Sequence, residues 1–302
     1  MKNLLETLQS GADYLAKRGV EDARLSMEHL LAHVLGCRRL DLYLRFDQTL
    51  TEAQLVPLRD LTRRRGEGEP LQHVLGTVEF YRQEFVSDHR ALIPRPETEH
   101  LVCILVEQVF RQAPPERVLD MGAGSGCIGL SLAKAWPGAA VTLADVSEDA
   151  LELARYNGER VGLATSGVKF VRSDLFEKLG GERYDLIVAN LPYIPTGDIP
   201  NLSREVRRDP VLALDGGPTG LAIIERLLAE SPFHLRPRGC VALELQHDQS
   251  AAVCARLHSL GYSGIQVQRD LSGIERFVFA SYVAPPVAQP EPETPETILH
   301  ES

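Results

Sequence analysis

The sequence predicts an α/β fold: a mostly parallel seven-stranded sheet with helices on both faces, a C-terminal antiparallel hairpin, and a small helical bundle in front. Three observations predict it. Apolar residues recur at helical spacing through residues 1 to about 75. From Arg117 onward, short apolar runs alternate with helical segments, which is the pattern of a sheet covered on both faces. Two late β-rich runs, near 264–269 and 275–281, lie too close together for a helical crossover and so must pair antiparallel.

The elements follow in order. Leu4, Leu5, Leu8 and Leu15 share one helical face, and Leu30, Leu31, Val34 and Leu35 make a second stripe that Gly36 ends. Thr51 and Gln54 form a capping box ahead of Leu55, Leu58 and Leu61. Val74 to Phe85 mixes β-formers with polar residues, as a hairpin does. In Ile93-Pro94-Arg95-Pro96-Glu97-Thr98-Glu99, two prolines hold Arg95 extended, and Glu97 to Glu99 open a helix running to about Phe110. This segment reads equally as the lip of a cleft or as a rigid linker. Strands are expected at 118–119, 140–144, 168–171, 184–189 and 240–245, with a helix at 126–136 and another capped by Ser147. The late hairpin turns through Asp270-Leu-Ser-Gly273. From Ala284 the chain is rich in Pro, Glu and Thr, and disorder is expected there.

Composition narrows the class. The chain has 302 residues, 44% hydrophobic and 25% charged, ordinary values for a globular protein. No apolar run reaches the roughly 18 residues of a membrane span, and the first residues lack the apolar core of a signal peptide. The five cysteines are scattered without paired spacing, which predicts reduced thiols, a cytoplasmic setting and no metal site. A net charge of −10 disfavours direct nucleic-acid binding. The one dense basic run, Arg63-Arg64-Arg65, reads first as cations on a helix C-terminus and second as a phosphate site.

Two motifs carry chemistry. Asp120-Met-Gly122-Ala123-Gly124-Ser125-Gly126 follows a strand and opens a helix, so its backbone can approach a ligand closely. Gly124 to Gly129 also fits the weak dinucleotide pattern GxGxxG. Asp120 separates the readings, because a carboxylate there suits a cofactor with cationic ammonium and sulfonium groups, S-adenosylmethionine, better than a pyrophosphate. Asp145, at the end of the next strand, is placed to accept ribose hydroxyls. Asp174 is placed to accept from the adenine amino group, and Leu175 to pack on its ring. For each acid the plainer alternative is a helix N-cap. The second motif ends the buried run Tyr184 to Ala189: Asn190-Leu191-Pro192-Tyr193. A polar amide at a strand's carboxyl end, then a rigid ring and an aromatic, forms a clamp for a planar amino group. Taken singly, Asn190 would pass for a turn residue and Tyr193 for a core aromatic. With the glycine loop, the four point to methyl transfer onto nitrogen.

The chain resembles the HemK/PrmC family of protein-glutamine methyltransferases. The resemblance rests on Glu69-Pro70-Leu71, Leu75-Gly76, Glu79-Phe80, the segment 93–99, the glycine loop, Asp145-Val-Ser147, Ala150-Leu151, Pro210, Ala213-Leu214, Gly220-Leu221, Pro237-Arg-Gly239 with Glu244, and Asp270 to Gly273 with Arg276. The departure is Leu191, where the family has Pro in Asn-Pro-Pro-Tyr. Asn-Leu-Pro-Tyr is also similar to the signature of rRNA adenine dimethylases. The resemblance implies a Rossmann-like methyltransferase fold and methylation of the glutamine in the Gly-Gly-Gln motif of peptide-chain release factors. It implies that Asn190 and the carbonyl of Leu191 accept the two N–H bonds of the target amide and that Tyr193 walls the glutamine. It further implies a helical substrate-docking domain at 1–73, a hairpin linker at 74–95, a methyltransferase domain at 96–283 and a tail at 284–302. A monomer acting on a protein substrate is expected. The alternatives are an adenine methyltransferase acting on RNA or DNA, a non-catalytic binding module of the same fold and, more distantly, a nicotinamide enzyme.

Overall fold

The structure, a computed structural model, describes residues 3–163 and 167–282; the expected tail at 284–302 lies outside them. Four helices come first: α1 (Leu4–Ala16), α2 (Ala23–Leu35), α3 (Glu52–Gly66) and the short α4 (Leu71–Leu75). Asn3 and Glu6 cap α1 reciprocally, each side chain accepting from the other's backbone N–H at 2.8 and 3.1 Å. Gly36 stops α2 in the left-handed conformation, where a side chain is costly. Leu4, Leu8, Leu15, Leu30, Leu31 and Leu58 close one shared core, so the leucine stripes are packing surfaces.

The hairpin of β1 (Thr77–Phe80) and β2 (Gln83–Val86) is fastened to the main sheet region. Phe80 and Phe85 are buried in the principal core. The fully buried Asn157 accepts from Val86 N at 2.8 Å and donates to Val86 O and to Ser125 O. One side chain thus ties the hairpin to the glycine loop. After the hairpin, α5 (Pro96–Ile104) starts with Pro96 in its first turn and widens into a π turn over Leu105–Val109.

The seven-stranded sheet comprises β3 (Arg117–Met121), β4 (Ala140–Asp145), β5 (Val168–Arg172), β6 (Tyr184–Ala189), β7 (Leu235–Glu244), β8 (Tyr262–Arg269) and β9 (Glu275–Tyr282). Its order is β5-β4-β3-β6-β7-β9-β8, parallel up to β7 and antiparallel on both sides of β9. Helices α6 (Cys127–Ala135), α7 (Glu148–Arg160), α8 (Ala222–His234) and α9 (Ser250–Ser259) cover two apolar cores, one on each face. β7 starts five residues earlier than the pattern predicts. Pro237 and a left-handed Arg238 interrupt its apolar run, and the pairing with β6 shifts register between Tyr184 and Leu186. Between β6 and α8 the chain runs through three short 3-10 turns within residues 196–213, which no apolar periodicity marks. The β8–β9 turn is held as predicted: Asp270 accepts from Ser272 N and Ile274 N and pairs with Arg276.

The strand order reverses between β3 and β6, with β4 on one side of β3 and β6 on the other. The carboxyl ends of β3, β4 and β6 therefore border a crevice, the position where open α/β sheets bind ligands.

Candidate active site

A cleft of about 280 Å³ opens at this crevice. Met121 to Ser125 form one wall, Asp145 to Ser147 and Ser173 to Leu175 a second, and Asn190 to Pro192 a third. Residues 90–92, 94 and 95 roof it with Pro210 and Leu212, so the Ile-Pro-Arg-Pro segment is a lip of the cleft. Arg95 is held there by a 2.6 Å ion pair to Asp209, which burial pushes up to about 6 despite the guanidinium beside it.

The glycine loop is shaped by close approach. Gly122, Gly124 and Gly126 all have positive φ, and a Cβ on Gly126 would lie 2.9 to 3.1 Å from Leu130, Ala154 and Leu143. Four of its amides are already committed. Gly122 N and Ala123 N donate to Ala144 O, Gly124 N to Asp145 Oδ2 at 2.8 Å, and Gly126 N to Ala123 O. A pyrophosphate needs such amides free and pointing outward. The cations at the rim are likewise engaged: Arg90 with Asp88, Arg95 with Asp209, Arg226 with Asp174. This environment suits a cationic cofactor and gives an anionic one little to hold.

Most sequence-predicted residues meet at the cleft: Gly122, Ala123, Gly124, Ser125, Asp145, Asp174, Leu175, Asn190, Leu191 and Pro192. Three do not line it. Asp120 is fully buried beneath the loop, where its Oδ2 accepts from Gly129 N at 2.7 Å and its Oδ1 has no partner among the described residues. Burial raises it to about 7. The expectation of a direct ammonium ligand is corrected: the carboxylate props the first turn of α6 from behind. Gly126 makes the turn under Leu130 and Leu143 and is not a wall residue. Tyr193, expected to wall the substrate glutamine, does not line this cleft and packs half-buried against the core on the β6–β7 side. Burial drives its phenol up to about 12, and its carbonyl accepts from Gln249 Nε2 at 2.9 Å. That backbone contact anchors the loop.

Asn190 follows the last residue of β6, and its Nδ2 donates to Thr98 Oγ1 at 3.0 Å. Its Oδ1 receives no hydrogen bond from the described residues. No backbone donor among them reaches the Leu191 carbonyl. Two unspent acceptors therefore belong to adjacent residues that line the cleft. Leu191 itself is buried, and a Cβ on Gly122 would come within 2.7 Å of its Cδ2. Packing under the glycine loop thus restrains residue 191 where a proline ring would otherwise do so. Sequence reasoning assigned no role to Thr98, Asp209 or Gln249. Each acts across 50 or more positions, and no local pattern signals that.

Comparison with known proteins agrees with this geometry. Residues 6–76 match the family profile described as the PrmC N-terminal domain, and residues 100–203 match the methyltransferase small domain. A release factor glutamine methyltransferase of Geobacter sulfurreducens is 43% identical over 88% of this chain and 92% of its own length. The chain belongs to the release factor glutamine methyltransferase family. A second member of this family, from Rhodopirellula baltica, is 39% identical over 91% of this chain and 95% of its own. Among solved structures, the hMettl16 catalytic domain in complex with an RNA hairpin aligns with a TM-score of 0.54 over 79% of this chain and 84% of that one. At 16% identity this likeness shows the Rossmann-like methyltransferase fold alone.

Proposed function

We propose that this protein transfers a methyl group from S-adenosylmethionine to the side-chain amide nitrogen of the glutamine in the Gly-Gly-Gln motif of peptide-chain release factors. What supports the reading is that Asn190 Oδ1 and the Leu191 carbonyl, in two adjacent residues lining the cleft beside the glycine loop, accept no hydrogen bond from the described residues.

The residues present fit the cofactor. The positive-φ glycine cradle gives backbone-close access, Asp145 and Asp174 present acceptors at the strand ends, and the cations are neutralised. When bound, S-adenosylmethionine supplies an electrophilic methyl group on a sulfonium centre. Asp145 and the loop would hold its ribose and amino-acid parts, and Leu175 and Asp174 its adenine.

An amide nitrogen is a poor nucleophile because its lone pair is delocalised into the carbonyl. Asn190 Oδ1 and the Leu191 carbonyl each accept one N–H of the target amide and so fix the plane of its NH2 group. As positive charge develops on nitrogen, both bonds strengthen, so the acceptors favour the transition state over the ground state. Orientation supplies the remaining advantage. The methylated nitrogen is acidic and releases its proton to water, which removes the need for a dedicated base.

The helical N-terminal region, residues 1–73, is the substrate-docking part of this proposal, joined to the methyltransferase region at 96–283 through the hairpin at 74–95. The buried Arg65 of α3 pairs with Glu205 at 2.7 Å, which sets the bundle against the segment that leads to the cleft lip.

An adenine methyltransferase would need free cations for phosphates. Arg63, Arg64 and Arg65 are each paired with carboxylates, so the basic run offers none. Labelled S-adenosylmethionine incubated with intact release factor and, separately, with ribosomal RNA tests the reading. Label is expected in the protein alone; label in RNA alone would replace it with the adenine reading. Calorimetry without detectable cofactor binding would point to a non-catalytic module.

A further inference from the structure

The Asn190 carboxamide can serve as an acceptor only if its oxygen, and not its NH2, faces the substrate. Two groups behind it decide this. Thr98, near the start of α5, is almost fully buried, and its hydroxyl oxygen accepts from Asn190 Nδ2 at 3.0 Å. Glu244 ends β7 and is also buried; the parallel register pairs Leu243 with Ala189, so Glu244 stands beside Asn190 on the neighbouring strand. An ionised carboxylate only accepts. Beside such an acceptor the amide turns its Nδ2 inward, as its bond to Thr98 shows. The reversed amide would set Oδ1 against the carboxylate and leave buried acceptors facing each other, which is costly.

We propose that Thr98 and Glu244 are positioning residues that lock the Asn190 carboxamide with its oxygen toward the substrate amide. The inference rests on the acceptor role of Asn190 given above. Glu244 touches no reacting atom and works through Asn190. One of its oxygens, Oε2, has no partner among the described residues, and burial pushes the group up to about 7, against the opposing pull of Thr98, Arg276 and Asn190. The other charged or titratable groups around it are Glu97 on α5, Tyr193 on the loop and Cys127 on α6. Once protonated, Glu244 can donate to Asn190 Oδ1 and the lock loosens. Turnover should therefore rise with pH as Glu244 ionises.

The test compares Thr98→Val, Thr98→Ser, Glu244→Gln and Asn190→Ala in single-turnover methylation of intact release factor, with cofactor Kd and melting temperature measured for each. Thr98→Val keeps the shape and removes the hydroxyl; turnover should fall about 10- to 100-fold at unchanged cofactor Kd. Thr98→Ser keeps the hydroxyl and should restore most of it. Glu244→Gln can donate at every pH, so it should be slow and should lose the rise near neutral pH. Near-normal turnover in Thr98→Val, or equal loss in Thr98→Val and Thr98→Ser, would overturn the lock. A rise that survives in Glu244→Gln would overturn the Glu244 half even if Thr98→Val misfolds. If Asn190→Ala is slow while the others are normal, the lock fails and the acceptor role stands; if Asn190→Ala is also normal, the acceptor role itself fails.

Discussion

Asn190 carries the largest energetic claim. Removing one preorganised partner of developing charge costs roughly 100- to 1,000-fold in rate. Asn190→Ala should therefore lose turnover by about that factor while cofactor Kd, measured by calorimetry, stays within a few-fold of wild type. Its neighbour carries a milder one. Residue 191 contributes a carbonyl, which every residue has, and among the described residues its N–H donates no backbone hydrogen bond. Leu191→Pro should keep at least a tenth of wild-type turnover in a steady-state assay; complete loss would show that the leucine side chain matters to the chemistry. The amide and its carbonyl were readable in the sequence because a polar residue ending a buried run is conspicuous. Thr98 was not, since it reads locally as an ordinary first-turn helix residue and its partner lies 92 positions away. Asp120 was misplaced for a related reason. A strand-end carboxylate can face the ligand or support the loop from behind, and only the three-dimensional path of residues 122–129 decides which.

At the scale of elements, the glycine loop and the acid beneath it make separate predictions. Gly126→Ala adds a Cβ to a left-handed residue already crowded by Leu130, Ala154 and Leu143, so the loop must shift. Cofactor affinity should drop about tenfold or more, a cost of roughly 1.4 kcal/mol or above, and unchanged Kd would show that the loop does not shape the site. Asp120 sits near 7 in the fold against an ordinary value near 4. Between those values the folded protein keeps a proton that the unfolded chain has released, so rising pH lowers stability across that window and the loss is complete above it. Asp120→Asn is neutral throughout. Its melting temperature should gain on wild type between pH 5 and pH 8, and parallel curves would contradict the assignment. The strands and helices themselves were largely readable, because buried runs and apolar stripes have fixed periods. The early start of β7 was not, because Pro237 and Gly239 resemble a turn in sequence while the fold accommodates them as an irregularity beside Tyr184.

For the whole molecule, the cleft sits on the sheet while the bundle is latched beside its lip through Arg65 and Glu205. A guanidinium that buried is difficult to replace, and breaking the pair leaves one charge without its partner. Arg65→Ala should raise KM for release factor several-fold and leave cofactor Kd unchanged; an unchanged KM would place substrate docking elsewhere. The division into bundle and sheet was readable from the change of period near Gly66 to Gly76, but the latch joins residues 140 positions apart and was not. The central claim is that the acceptor pair grips a glutamine amide. Mass mapping of intact release factor after incubation with this protein and S-adenosylmethionine tests it most directly. The account predicts one added methyl group, on the side-chain nitrogen of the Gly-Gly-Gln glutamine; a methyl group on any other residue, or none on that nitrogen, would contradict it.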